Sequence, residues 1–166
     1  MAQVLERFVE YEGGFTHSPQ MRAVGEIIAQ IADTNAPVLI RGESGVGKDH
    51  VARIIHSASR RHEGPFIKLN CATIPPESLE SELFGHERGA SPGASRRKPG
   101  MLEFASKGTL FLDEIAELPH SLRTKLVRVL QDLRFSRIGG QDAIRVDVRL
   151  IASTRPNHEV TLGGGK

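Results

Sequence analysis

Apolar and polar positions along this chain of 166 residues fall into two kinds of block. Short apolar runs predict buried strands at Val38-Leu39-Ile40 and at Thr109-Leu110-Phe111-Leu112, another strand at Phe66-Ile67-Lys68-Leu69, and a fourth entered from Val146 to Ala152. Between them, apolar residues recur at helical spacing. Met21, Val24, Ile27, Ile28 and Ile31 mark one helix, with Ser18 as its N-cap and Pro19 in its first turn. Leu122, Leu126, Val129, Leu130 and Leu133 mark the core-facing stripe of another. Two more helices are expected, from about Gly47 to Ser59 and from Glu77 to Leu83. Gly85 to Gly100 is rich in Gly, Ser, Pro and Arg and reads as a loop or mobile insertion. Gly139-Gly140, set between short apolar segments, reads as a hairpin turn. Strands alternating with helices predict an α/β domain, a parallel sheet flanked by helices on both faces.

Length and charge change this picture little. The chain is about one domain long. A net charge of +2 makes no case for nucleic-acid binding by charge alone. Cys71 is the single cysteine, so no internal disulfide forms, which fits a reducing cytoplasm. It is expected to be a small buried apolar group rather than a nucleophile. No apolar run reaches the length of a membrane span, and the N-terminus lacks the pattern of a signal peptide. The seven histidines show no zinc-ligand spacing.

Candidate chemistry begins at Gly42-Glu43-Ser44-Gly45-Val46-Gly47-Lys48-Asp49, between a predicted strand and a predicted helix. Glycines there let the backbone fold around an anion, and the N–H groups of the loop and of the helix N-terminus point at it. Lys48 would reach the β- and γ-phosphates of a nucleotide. A Ser or Thr that binds Mg2+ normally follows this lysine; here Asp49 stands there, and a carboxylate at that point either repels phosphate or holds the metal, directly or through water. The strand Thr109 to Leu112 ends in Asp113-Glu114. In this context Asp113 would help to hold Mg2+ and Glu114 would polarise an attacking water.

Five motifs then occur in one order: Gly42 to Asp49, Leu69-Asn70-Cys71-Ala72, Glu82-Leu83-Phe84-Gly85-His86-Glu87, Gly108 to Ile115, and Val146 to Thr154. From about Phe15 to Thr154 the chain resembles the AAA+ domain of sigma-54-dependent transcription activators. The resemblance implies a P-loop NTPase fold (the AAA+ large subdomain), ATP and Mg2+ as ligands, and self-association into a ring. It makes Asp49 an ordinary acidic residue of the family and gives Asp113 and Glu114 the metal-binding and water-activating roles. It implies that Asn70 hydrogen-bonds and restrains Glu114, that Thr154 senses the γ-phosphate, and that Phe15, beside Thr16, packs the adenine. The expected layout is a lead-in over 1–14, a nucleotide-binding subdomain over 15–160 and a flexible tail over 161–166.

Two departures qualify the function. Family members that touch sigma-54 carry the loop motif GAFTGA, whereas this chain has Gly89-Ala90-Ser91-Pro92-Gly93-Ala94. Serine cannot supply the contact area of an aromatic residue, and proline removes a backbone donor. The loop is followed by the basic run Ser95-Arg96-Arg97-Lys98, read as a solvated segment. After Thr154 stands Arg155, and the family's arginine fingers, helical lid and DNA-binding helix-turn-helix are not found. An arginine finger is worth about 10³ to 10⁵ in rate, so the isolated chain should bind ATP better than it hydrolyses it. Three readings stay open: an ATP-driven activator core acting on the sigma-54 RNA polymerase holoenzyme, a nucleotide-responsive regulator that no longer contacts sigma-54, and a non-catalytic module.

Overall fold

A computed structural model describes residues 7–10 and 19–158. Strands β1 (Arg7–Glu10), β2 (Val38–Arg41), β3 (Phe66–Asn70), β6 (Thr109–Asp113) and β9 (Arg149–Thr154) form one sheet in the order β1-β2-β9-β6-β3. Every pairing in it is parallel. The helices are α1 (Pro19–Ala32), α2 (Lys48–Ser57), α3 (Pro76–Phe84), the short α4 (Met101–Phe104) and α5 (His120–Asp132), with a 3-10 turn at Ile115–Glu117. Two small antiparallel pairs complete the fold, β4 (Gly85–His86) with β5 (Lys98–Pro99), and β7 (Arg134–Phe135) with β8 (Ile144–Arg145).

Two apolar clusters sandwich the sheet. Val24, Ile28 and Ile31 of α1 and Val51, Ala52 and Ile55 of α2 pack on Val38, Ile40, Phe111 and Ile151. Leu79, Leu83 and Phe84 of α3 and Leu122, Leu126 and Val129 of α5 pack on Leu39, Leu69, Leu110, Leu112 and Leu150. The period of two along each strand explains the split: Val38 and Ile40 face one layer, and Leu39 between them faces the other. β2, β6 and β9 are buried on both faces, which is why they read as unbroken apolar runs.

The main outline of the expectations holds, with corrections. Leu133 does not continue the apolar stripe of α5. The helix ends at Asp132, and Leu133 takes a left-handed conformation (φ 55°) with its N–H bonded to Val129 O, so its side chain is turned out and half exposed. Gly139-Gly140 lies in a hairpin, but as the tip of a loop over 136–143 rather than a two-residue turn. The segment from Gly85 to Gly100 is closed at its base by β4 and β5. Arg7–Glu10, inside the stretch read as a lead-in, forms edge strand β1 against β2. Ser18, Phe15, Thr16 and the tail lie outside the described residues. Among the described residues no helix is long and apolar enough to cross a membrane.

Candidate nucleotide site

The parallel sheet brings the carboxyl ends of β2, β9, β6 and β3 side by side, and with them the residues that follow each strand. Arg41 pairs with Thr154 and Asn70 with Asp113. Gly42 N–H donates to Thr154 O at 3.2 Å, which ties the first residue of the glycine loop to the end of β9. Gly45 (φ 81°) and Gly47 (φ 101°) both take the left-handed region, where a side chain would be strained. These two residues turn the chain back so that α2 starts at Lys48, with its first turn at the mouth of the loop.

Lys48 is buried at 6% exposure. Its Nζ donates to Gly42 O (2.7 Å) and Glu43 O (3.1 Å) and stands 3.8 Å from Glu114 Oε1. The ammonium thus closes the loop on itself and faces the acid that ends the neighbouring motif. Glu114 is also buried, and its other oxygen lies 3.6 Å from Arg155 Nε. Its backbone is left-handed (φ 54°), an uncommon state for a residue with a Cβ. Two hydrogen bonds hold it there: Glu114 N–H to Ser153 Oγ (3.1 Å) and Glu117 N–H to Glu114 O (3.0 Å).

Ser153 is a residue that sequence reasoning missed. Its hydroxyl donates to Asp113 Oδ1 while accepting the Glu114 N–H, so one side chain of β9 holds the Asp113 carboxylate and the Glu114 backbone together. The signal for it was a polar residue next to Thr154 in an otherwise apolar strand. Thr154 is fully buried, and its Oγ1 has no hydrogen-bond partner among the described residues. An unsatisfied buried hydroxyl costs about 1–3 kcal/mol, so such groups concentrate where a ligand completes them.

Asp113 turns its other oxygen toward Lys68 Nζ (3.7 Å), which also pairs with Asp49 Oδ1 (3.1 Å). Asp49 Oδ2 accepts from Arg53 Nε at 3.2 Å, one turn along α2. Burial would raise the Asp49 carboxyl, but Lys68 and Arg53 hold it below its ordinary value. Asp49 and Asp113 therefore converge on one cation, and a pair of hard carboxylate oxygens suits a divalent ion such as Mg2+. Lys68 was legible as a lone charge inside an apolar run, though not as a neighbour of Asp49.

Asn70 is placed differently from the expectation. Its Oδ1 accepts the Ala72 N–H (3.0 Å) in a local turn, while the Glu114 carboxylate faces Lys48 and Arg155. An amide at a strand end readily satisfies nearby backbone in this way. Cys71 is buried, and burial, with Asp113, Glu117 and Glu114 nearby, pushes its thiol up to about 12; it is an inert apolar group, as its position in the sequence suggested. The loop Gly89–Ala94 is pinned at its ends by Gly89 N–H to Ala94 O (2.8 Å), and Ser91, Pro92 and Gly93 form its exposed tip.

A glycine loop at a helix start, a buried lysine and paired acids at the adjoining strand ends can hold a polyphosphate and its metal. Residues 15–165 match the family model of the sigma-54 interaction domain. The regulatory protein AtoC of Escherichia coli (strain K12) is 55% identical over 139 residues, 84% of this chain and 30% of that protein. The Nif-specific regulatory protein of Azospirillum lipoferum is 50% identical over 149 residues, 90% of this chain and 24% of that protein. The crystal structure of NtrX from Brucella abortus in complex with ADP superposes with a TM-score of 0.78 at 44% identity, covering 87% of this chain and 31% of that one. The chain thus spans less than a third of the length of these relatives.

Proposed function

Because the chain belongs to the family of sigma-54 interaction domains, we propose that it is the ATP-binding core of a sigma-54-dependent transcriptional regulator, completed into a ring ATPase in the full-length protein. The observation that carries this reading is the joining of Gly42–Lys48 to the Asp113-Glu114 pair through the buried Lys48–Glu114 contact.

On this reading the N–H groups of Gly42 to Gly47 and of the start of α2 bind the phosphates, and Lys48 moves from its loop carbonyls onto the β- and γ-oxygens. Asp49 and Asp113 hold Mg2+, which when bound neutralises charge that develops on the phosphates. Glu114, released from Lys48 as that lysine turns to phosphate, orients the attacking water. Thr154 offers its unpartnered hydroxyl to the γ-phosphate. Asn70 acts on Glu114 only if its local turn opens, and Phe15 packs the adenine. The protein works in the cytoplasm, as a ring in which neighbouring subunits supply cations to each site, and reaches DNA through a separate domain.

A second reading is favoured by the exposed tip Ser91-Pro92-Gly93, which lacks an aromatic contact residue. In it the chain answers to nucleotide but does not engage sigma-54. A pull-down with sigma-54 separates the two: capture only after Ser91→Phe/Pro92→Thr supports the second, and capture by the unmodified loop supports the first.

Calorimetric titration of Mg-ATP into the purified chain, beside Lys48→Ala at one salt concentration, tests the core proposal. The expected result is saturable binding that falls by at least about 100-fold in the variant, in keeping with loss of a charge-assisted contact to phosphate. Equal binding by both proteins, or none by either with the fold intact, overturns it.

A further inference from the structure

Lys68 lies on β3, two residues before Asn70, and shares a register position with Phe111 of β6. Its ammonium stands 5.8 Å from the centre of the Phe111 ring and ends between two carboxylates from different elements, Asp49 of α2 and Asp113 of β6. Arg53 takes the outer oxygen of Asp49, and Ser153 takes the inner oxygen of Asp113. The oxygens left for a further cation are thus the two that Lys68 faces.

We propose that Lys68 is the resident counter-cation of the metal site, holding Asp49 and Asp113 together when no metal is bound and leaving when a divalent cation arrives. This rests on the reading of those two acids as metal ligands. Two like charges brought to one point repel, and a cation between them removes that cost. An ammonium and a divalent ion cannot share the position, because they would face each other at contact distance in a partly screened site. Lys68 is about one-third exposed (36%), so its four-carbon stem can swing the charge into solvent without opening the core. Lys68 therefore sets the threshold for metal entry: it weakens binding of the bare cation, and metal arriving with a polyphosphate overcomes it.

The experiment is a titration of Mn2+ into the nucleotide-free chain, followed by the loss of the free-ion electron paramagnetic resonance signal at fixed ionic strength. Lys68→Met should bind Mn2+ about tenfold or more tightly than the parent, and Lys68→Arg, which keeps the charge, should stay within about threefold of it. Lys125→Met, which removes one positive charge from a pair with Glu80 on another face, should change nothing. Lys68→Gln is a second neutral variant, with folding checked by circular dichroism. Adding Asp49→Asn to Lys68→Met should erase the gain. Unchanged or weaker binding in both neutral variants overturns the proposal, as does an equal gain in Lys125→Met. Mg-ATP titration on the same samples keeps the two readings apart. Loss of ATP binding speaks against the phosphate site, and an unchanged Mn2+ affinity with ATP still bound speaks against Lys68 alone.

Discussion

Thr154 shows how a single atom separates stability from use. Its hydroxyl is fully buried and unpartnered among the described residues, so in the free protein it destabilises the fold by about 1–3 kcal/mol. Thr154→Val keeps the shape and removes the unsatisfied group. We expect it to melt no lower than the parent, and to be about 1–3 kcal/mol more stable in urea titration. A loss of more than about 1 kcal/mol would mean that the hydroxyl is satisfied in solution and is not held for a ligand. Glu114 is the companion case. Its left-handed backbone costs of order 1 kcal/mol and is retained because Ser153 and the 3-10 turn hold it. Neither feature can be read from residue type: a threonine at a strand end and an acid after an apolar run are ordinary in sequence. Their peculiarity comes from what surrounds them.

Between elements, a polar knot joins the loop after β4, helix α4 and the loop after β7. Arg137 donates to both oxygens of Glu103 (3.0 Å to one of them) and to Glu87 (2.9 Å). Burial alone would raise the Glu103 carboxyl, but Arg137 and the Gly100 N–H hold it below its usual range. The two acids in turn raise the affinity of Arg137 for its proton. Arg137→Ala strands both carboxylates in a partly buried site and should cost about 2–3 kcal/mol at neutral pH. The sign of the pH dependence follows from the lowered Glu103. The stabilisation is complete above the unfolded value, near about 4.3 for glutamate, and is lost as pH falls through the lower folded value. The gap in stability between parent and variant should therefore be constant from pH 7 down to about 5.5, and should narrow as pH falls below about 4.3. Urea titrations at several pH values check this, and a gap that widens in acid would show that the carboxylates are not the cause. Arg149 joins elements differently, with its buried guanidinium donating to Ile31 O (2.6 Å) and Ala32 O (2.7 Å) at the end of α1. Burial, with Arg61 nearby, lowers its proton affinity, and the carbonyl end of a helix offsets part of that cost. The alternation of apolar runs and helical stripes made the layers legible, but nothing in it announced these arginines, whose partners lie 34 to 118 residues away in the chain.

For the molecule as a whole, Phe111 is the centre of the layer that carries the phosphate loop. It is fully buried, packs at 6.0 Å from the Phe66 ring, and shares a cluster with Val51, Ala52 and Ile55 of α2. Phe111→Ala should cost about 3–5 kcal/mol, a large share of the stability of a domain this size. Because the same cluster sets the position of α2, nucleotide should partly restore the melting temperature of the variant, by an amount that grows with ligand concentration. A variant with parental stability would show that α2 is not anchored there. The split of the core into two clusters, one under α1 and α2 and one under α3 and α5, explains how the acids and the glycine loop meet at one edge. The loop is carried by α2 on one face, and the acids are carried by the end of β6 and the turn after it, between the faces.

The amino-acid sequence by itself determined the main strands and helices and marked the candidate phosphate loop. Apolar runs two-sidedly buried, helical stripes and a glycine loop before a lysine are local patterns, each fixed by a few residues next to one another in the chain. The tertiary structure decided which charges meet. Lys48 with Glu114, Lys68 with Asp49 and Asp113, Ser153 with both acids, and Asn70 turned to its own backbone all depend on strand order and register. A parallel sheet places strands β2, β9 and β6 side by side although they are far apart in sequence, and no local period carries that information.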